Sequence, residues 1–438
     1  MPSRTVAFLD EVPPPLREGL RQLRDELGVP DDFPAEVIEA AQAAAADVQL
    51  PVTDLTDVEF VTIDPAGSLD LDQALHLSRT DTGYLVRYAI ADVAAFVEPG
   101  GVIDDECHER VETLYAPSRR TPLHPEALSE NGASLLPDVV RPALVWQIEL
   151  DADGAVVDAT VARARVRSRR RYSYDEVQAL IDGGQAGDVL DLLKVIGQLR
   201  EQAEVARGGV SLGVPEQEVT VAGGSWALVY RTNLPCEGWN AQLSLLTGMV
   251  AADMMLKAGV GILRTLPPAE DHAINRLRRT AQGLGISWPQ KVSYPDFVRG
   301  LKASVPREAA MLNACTTLFR GAGYDSFTDG APKEAEHAAI AAPYAHVTAP
   351  LRRLVDRYAG ELCVALSAGE PVPAWVLDAL DDLPSEMEDS ARRAGKYERG
   401  IVDLVEAMVL APHIAGWTHE SKRKMAETVI EKLFGSGG

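Results

Sequence analysis

The chain has 438 residues, 46% apolar and 24% charged, and carries a formal net charge of −23. That length and composition describe an ordinary soluble globular protein of two or three domains, or one large domain with an appendage. An acid excess of this size excludes a broad basic surface, so any bound nucleic acid must follow a narrow, salt-sensitive basic path.

Leu16, Leu20, Leu23 and Leu27 form one stripe of a helix that Gly28 stops. A second helix is expected from Asp32, with Pro34 in its first turn, to about Val48. Residues 1–56 are therefore read as a helical N-terminal region, either a helix-turn-helix-like module or a brace on the main domain. No apolar core of signal-peptide length opens the chain.

From residue 58 the texture becomes β-rich, with strands expected over 58–63, 84–91, 143–150 and 156–166. Asp151-Ala152-Asp153-Gly154 is a hairpin signal between the last two. Helical periodicity dominates from Tyr174 to about Leu410, interrupted by a strand-like patch near 217–230. Within it, residues 243–263 form the most apolar stretch; Asp253 and Lys257 make it a buried helix and not a membrane span. Residues 411–438 read as a short helical tail ending in Gly-Ser-Gly-Gly. The expected fold class is α+β, a twisted and mostly antiparallel sheet surrounded by helices. Cys107, Cys236, Cys315 and Cys363 stand far apart without a CxxC pair, which argues against zinc and disulfides and for the cytoplasm.

The segment Thr62-Ile63-Asp64-Pro65-Ala66-Gly67-Ser68-Leu69-Asp70-Leu71-Asp72-Gln73-Ala74 places three aspartates in nine positions directly after an apolar strand. In extended backbone Asp70 and Asp72 share a face, and Pro65 and Gly67 turn Asp64 back toward them. Carboxylates held together repel unless a cation lies between them, and hard oxygen donors favour Mg²⁺ or Mn²⁺. Such a site suits phosphodiester hydrolysis. On the residues alone, a solvated acidic loop or a DxD-type sugar-nucleotide transferase remain open.

Thr348 to Tyr358 reads as the start of a helix, with Thr348 as cap and Pro350 in the first turn. That would place Arg352 and Arg353 at an anion-favouring helix terminus, where a guanidinium can clamp a phosphate. The alternative is a surface helix whose arginines pair with Asp356 or Glu361. In Arg163-Ala164-Arg165-Val166-Arg167-Ser168-Arg169-Arg170-Arg171 the first four arginines alternate, making a one-faced ladder in a strand. The competing reading is a charge-protected edge strand. Tyr172 and Tyr174 follow at once, and an aromatic beside a basic stripe suits stacking on single-stranded bases.

Together these motifs resemble the RNB domain of the RNase II and RNase R family. The aspartate segment resembles the family signature, and Ala89-Ile90-Ala91-Asp92-Val93, Tyr115-Ala116-Pro117, Pro122-Leu123-His124-Pro125, Leu128-Ser129 and Ser134-Leu135 come after it in family order. Far downstream, His337, Tyr344, His346, Thr348, Pro350, Arg352, Arg353 and Asp356 fall in register with a second family segment. The resemblance covers about residues 56–410, hence a catalytic domain over 57–410. It implies a Mg²⁺-dependent 3′→5′ exoribonuclease acting on single-stranded RNA, expected to be a monomer without an inferable protein partner.

In that scheme Asp64, Asp70 and Asp72 hold metal, Asp70 and Asp72 serve the chemistry, and Arg352 is the catalytic arginine. Tyr174 stacks near the RNA 3′ end, while Arg163, Arg165, Arg167, Arg169, Arg353 and Glu398 contact the strand. His337 and His346 stay outside the metal shell. One departure is evident: the family's fourth aspartate falls on Gln73, an uncharged ligand that would weaken metal binding or leave an RNA-binding protein without catalysis. The family's flanking OB-folds have no counterpart in residues 1–56 or after about Leu410, so a compact enzyme with weaker RNA binding is expected.

Overall fold

The computed structural model describes residues 6–8, 14–116, 119–214, 216–222 and 225–414. Five strands close into a barrel: β1 (Phe60–Asp64), β2 (Gln73–Arg79), β3 (Gly83–Ala91), β4 (Val140–Asp151) and β5 (Val156–Ser173). Successive strands pair antiparallel. The barrel closes where β1 runs parallel to β5, with Val61 against Arg170 and Asp64 against Ser173. This parallel seam turns the expected twisted sheet into a closed one, leaving no edge strand to protect.

The β3/β4 pair is buried on both faces from Ala89 to Ala91 and from Ala143 to Val145, because helices cover the outside of the barrel. Gly83 lets β3 start close to β4; a Cβ there would lie 2.1 Å from the Leu150 carbonyl oxygen. The β4/β5 hairpin turns as its sequence predicts. Gly154 adopts φ +80°, and the Asp151 carboxylate accepts the Asp153 and Ala155 amides.

The apolar stretch at 243–263 is divided. Helix Pro235–Ala258 buries Trp239, Leu243, Leu246, Ala251 and Met255, then Gly259 ends it in the left-handed region at φ +73°. The chain re-enters as strand Gly261–Thr265, paired with Gly323–Phe327. No helix among the described residues is long and apolar enough to cross a membrane.

The leucine stripe near the N-terminus has a specific partner. Helix Pro14–Leu27 buries Leu16, Leu20 and Leu23 against Tyr397, Ile401 and Leu404 of the long helix Leu383–Ile414. Each buried leucine contributes about 2 kcal/mol. Gly400 permits the approach, since a Cβ there would meet Leu23 at 2.7 Å. Helix Ala35–Ala46 buries Ala41 in the barrel-side core instead. The region also supplies a strand that the helical reading left out: Val6–Phe8 runs parallel to Glu216–Ala222, which pairs antiparallel with Ser225–Arg231. The expected tail falls mostly at 415–438, outside the described residues.

Candidate active site

The carboxylates are placed by one loop between β1 and β2. Leu71, fully buried, anchors it: its N–H donates to Ser134 Oγ at 3.0 Å, and that hydroxyl donates to the Leu69 carbonyl at 2.5 Å. Extended backbone through Leu71 turns Asp70 and Asp72 to the opposite side from it. At the other end Gly67, at φ +86°, and the Ser68 N–H donating to the Pro65 carbonyl fold the chain back from Asp64.

Burial pushes the Asp64 carboxyl up to about 7, against the opposing pull of Arg352 and Arg171 and with the help of neighbouring Asp70. Burial likewise lifts Asp72 to about 7, opposed by Arg352 and by the Leu351 N–H, which donates to Asp72 Oδ1 at 2.8 Å. Asp70 Oδ2 lies 2.7 Å from Arg120 Nη1, and Arg120 also pairs with Glu130.

The segment carrying the paired arginines departs from the sequence reading. The helix begins at Leu354, not near Thr348, and Arg353 is extended at its cap. Residues 349–353 make one isolated turn, with the Arg352 and Arg353 N–H both donating to the Ala349 carbonyl, and other groups capture the remaining backbone so that the turn does not join the helix. Ala349 N–H donates to Asp356 at 2.7 Å, Leu351 N–H donates to Asp72, and the Pro350 carbonyl accepts from His124 Nε2 at 3.1 Å. The Arg352 carbonyl accepts from Thr113 N–H at 3.0 Å.

Arg352 itself has its Nε 3.5 Å from Asp72 Oδ2, with 47% of its side chain exposed. Arg353 lies beyond the expected RNA contact, because its Nε and Nη2 donate to both oxygens of buried Asp356 at 2.8 and 2.9 Å. Of the two sequence readings, ion pairing describes Arg353, while Arg352 keeps an exposed guanidinium beside Asp72.

Gln73 does not face the carboxylates as an expected ligand would. Its Nε2 donates to the Thr348 carbonyl at 2.5 Å and its Oε1 accepts from Tyr88 Oη at 3.1 Å, so both ends of the amide are engaged. Among the described residues no three His, Cys, Asp or Glu side chains converge on one point a metal ion would occupy. The donor chemistry that remains is the neighbouring pair Asp64 and Asp70, all hard oxygen. That pair suits one Mg²⁺-type cation, with Arg120 as its competitor on Asp70. His346 is engaged elsewhere, 2.7 Å from Tyr324 Oη.

Tyr174 reaches the site. It opens helix Tyr174–Asp182 behind a Ser173–Glu176 capping box, and its hydroxyl accepts from Asn240 Nδ2 at 3.4 Å. Burial first, then the nearby Asp64 charge, pushes its hydroxyl up to about 12.

The arginine ladder forms on one face of β5 with Ala164, Val166 and Ser168 buried on the other. Its upper rungs are neutralised: Arg163 pairs with Asp92 and Glu361, and Arg165 with Asp54 at 2.7 Å. Arg167 is half-buried, and Arg169 donates to the Thr56 carbonyl at 2.6 Å. Glu398 is half-buried on the long helix, where burial and neighbouring Glu112 push its carboxyl up.

Three site residues were missed. Arg171 donates to the Ser68 carbonyl at 2.5 Å and acts on Asp64; it shares the ladder's alternation, so parity alone would have extended the ladder to it. Tyr115 is exposed and has Arg352, Asp70 and Asp72 as charged neighbours. Arg120, on the facing strand of the Leu114–Ala116/Arg119–Thr121 hairpin, carried no sequence signal.

Residues 52–366 match the protein-family model described as RNB domain. Ribonuclease R of Chlamydia trachomatis is 26% identical over 415 residues, covering 90% of this chain and 57% of that protein. Among solved structures, Mycoplasma genitalium RNase R in complex with ribose methylated single-stranded RNA has a TM-score of 0.80 at 21% identity, over 92% of this chain and 66% of that one. Yeast Ssd1, a pseudonuclease, has a TM-score of 0.66 at 15% identity, over 88% of this chain and 48% of its own. The chain thus spans little more than half the length of the curated ribonucleases R it matches. With the family model matched over most of its length, the chain belongs to the RNB domain family.

Proposed function

We propose that the chain is a divalent-metal-dependent 3′→5′ exoribonuclease that hydrolyses single-stranded RNA to nucleoside 5′-monophosphates. The observation that carries this reading is Arg352: a half-exposed guanidinium, locked at its backbone, set 3.5 Å from the buried Asp72 carboxylate and near enough to Asp64 to oppose its neutralisation. An exposed cation in an acidic pocket of an acidic protein suits a phosphate.

In the reaction, water attacks the last internucleotide phosphorus and the P–O3′ bond breaks. The 5′-phosphate stays on the released nucleoside, and a proton passes to the departing 3′-oxygen. Arg352 binds the non-bridging oxygens and offsets the charge that grows on them. Asp72 holds the guanidinium in place from below, and Leu351 N–H in turn fixes Asp72. Tyr174 lines the site on the Asp64 side, where a terminal nucleotide would stack. Mg²⁺ on Asp64 and Asp70 would supply an acidified water and a counter-charge.

Digestion of 5′-labelled single-stranded RNA, with Mg²⁺ and with EDTA, tests the reading. A ladder shortening from the 3′ end, lost in EDTA and in Asp72→Asn and slowed by about 100- to 1000-fold in Arg352→Ala, is expected. A second reading, RNA binding without cleavage, draws on the engaged Gln73 amide and the Arg120 guanidinium on Asp70. Full-length RNA that binds yet survives both Mg²⁺ and Mn²⁺ would favour it.

A further inference from the structure

The arginine segment is held at consecutive peptides by partners from elsewhere in the chain. Ala349, Pro350, Leu351 and Arg352 each have a backbone group taken by Asp356, His124, Asp72 and Thr113 respectively. The first of these restraints is at Thr348, whose carbonyl accepts from Gln73 Nε2.

Gln73 opens β2, next to Asp72, so one short stretch of barrel edge holds the segment at two places. The amide has a fixed sense: the Thr348 carbonyl can only accept, so the amide nitrogen must face it and the oxygen is left to accept from Tyr88. The Tyr88 ring is fully buried, and its hydroxyl also lies 3.0 Å from Ser244 Oγ. A glutamate here would set two acceptor oxygens against one another at 2.5 Å, and an aspartate, one methylene shorter, would leave the Thr348 carbonyl without its donor. Only a side chain that donates and accepts fits both neighbours.

We propose that Gln73 is a positioning residue for Arg352: its amide ties the head of the arginine segment to the strand edge that carries the carboxylates. The assignment rests on the exoribonuclease reading for its kinetic consequence, but the tie itself does not. It replaces the simpler idea that Gln73 is an impaired metal ligand, and the two make opposite forecasts for Gln73→Asp. An impaired ligand restored to an acid should bind metal more tightly and turn over faster. A broken tie should turn over more slowly.

The experiment uses the full chain, Gln73→Met (similar in length, without donor or charge) and Gln73→Asp, each checked for cooperative unfolding. On single-stranded RNA with Mg²⁺, both variants should lose kcat by about 10- to 100-fold with KM little changed, as expected for one partly buried hydrogen bond and the geometry it fixes. Mn²⁺ affinity of Gln73→Met, read by electron paramagnetic resonance, should match the wild type. In an Arg352→Ala background, Gln73→Met should cost almost no further kcat, because both act through one group. Amide hydrogen exchange at Ala349 and Leu351 should accelerate by at least about tenfold in both variants.

Faster turnover with tighter Mn²⁺ binding in Gln73→Asp would overturn the proposal, as would a full additional loss of kcat in the Arg352→Ala background. Should the wild type leave RNA intact, the nuclease reading falls, and exchange still decides the tie. Unchanged exchange at Ala349 and Leu351 in both variants would refute it whatever the chain does to RNA.

Discussion

Arg353 grips Asp356 through two hydrogen bonds of 2.8 and 2.9 Å, while its neighbour Arg352 meets the Asp72 carboxylate at only 3.5 Å and leaves nearly half its side chain in solvent. Adjacent arginines thus have opposite duties. Arg353→Ala leaves the fully buried Asp356 carboxylate without its partner and should destabilise the protein by about 3–5 kcal/mol. Arg352→Ala should leave the urea midpoint nearly unchanged while slowing RNA cleavage by about 100- to 1000-fold, to a residual rate that can still be measured. Denaturation curves of the two variants, set beside their turnover, check this; equal destabilisation would contradict it.

Asp64 is a carboxylate that the metal-free fold holds at a cost. Its folded value is about 7 against an ordinary 3.8, so between those values the folded state retains a proton the unfolded state has lost. Stability therefore falls as pH rises from about 4 to 7 and stays depressed above that. Without divalent cations, Asp64→Asn should raise the melting temperature at pH 8, with the gain shrinking as pH falls toward 4. A variant that melts lower than wild type at pH 8 would refute this account. Added Mg²⁺ should narrow the gap by stabilising only the wild type.

Arg120 competes for the oxygens a cation would use, since its Nη1 is 2.7 Å from Asp70. The pair is partly exposed, and such pairs are worth under about 1 kcal/mol. Arg120→Met should therefore tighten Mn²⁺ binding by up to about fivefold, measured by titration of the free ion. Weaker binding would mean that Arg120 organises Asp70 for the metal and does not oppose it.

His108 latches three helices together. Its Nδ1 is 2.8 Å from Glu386 on the long helix, and its Nε2 is 2.7 Å from the Tyr358 hydroxyl, with Asp104 at 3.7 Å and Arg357 nearby. The Glu386 hydrogen bond raises its pKa, against burial, so the folded state binds the proton more tightly than the unfolded state. The stabilisation is complete below the ordinary 6.5 and is lost as pH climbs through the raised folded value. The stability difference between wild type and Glu386→Gln should be largest near pH 5 and shrink by about pH 9. A difference independent of pH would rule out the charged latch.

Much of this architecture was legible in local pattern. β-rich runs between turn residues located β1, β3, β4 and β5, and the spacing of Asp64, Asp70 and Asp72 marked the acidic loop. β2 escaped because it starts at Gln73, inside what read as ligand loop, and its Leu75 and Leu77 come too soon after the aspartates to stand out. Barrel closure was invisible because it pairs Asp64 with Ser173 across the chain. The misread helix start has the same origin. Its sequence has good cap chemistry, but that chemistry lost to Gln73, Asp72 and His124, which lie 275, 279 and 226 positions from their hydrogen-bond partners. Charge at Arg163 and Arg165 likewise read as available, because Asp92, Glu361 and Asp54 meet it only in three dimensions.

Those long separations have a consequence for synthesis. A ribosome making this chain completes the barrel strands well before residue 348 is translated, and the carboxylates then stand without the arginine that faces them. Only when the segment through Asp356 has left the exit tunnel do Gln73, His124 and Asp72 find their partners. Whatever chemistry the pocket performs is withheld until that distant segment has been made.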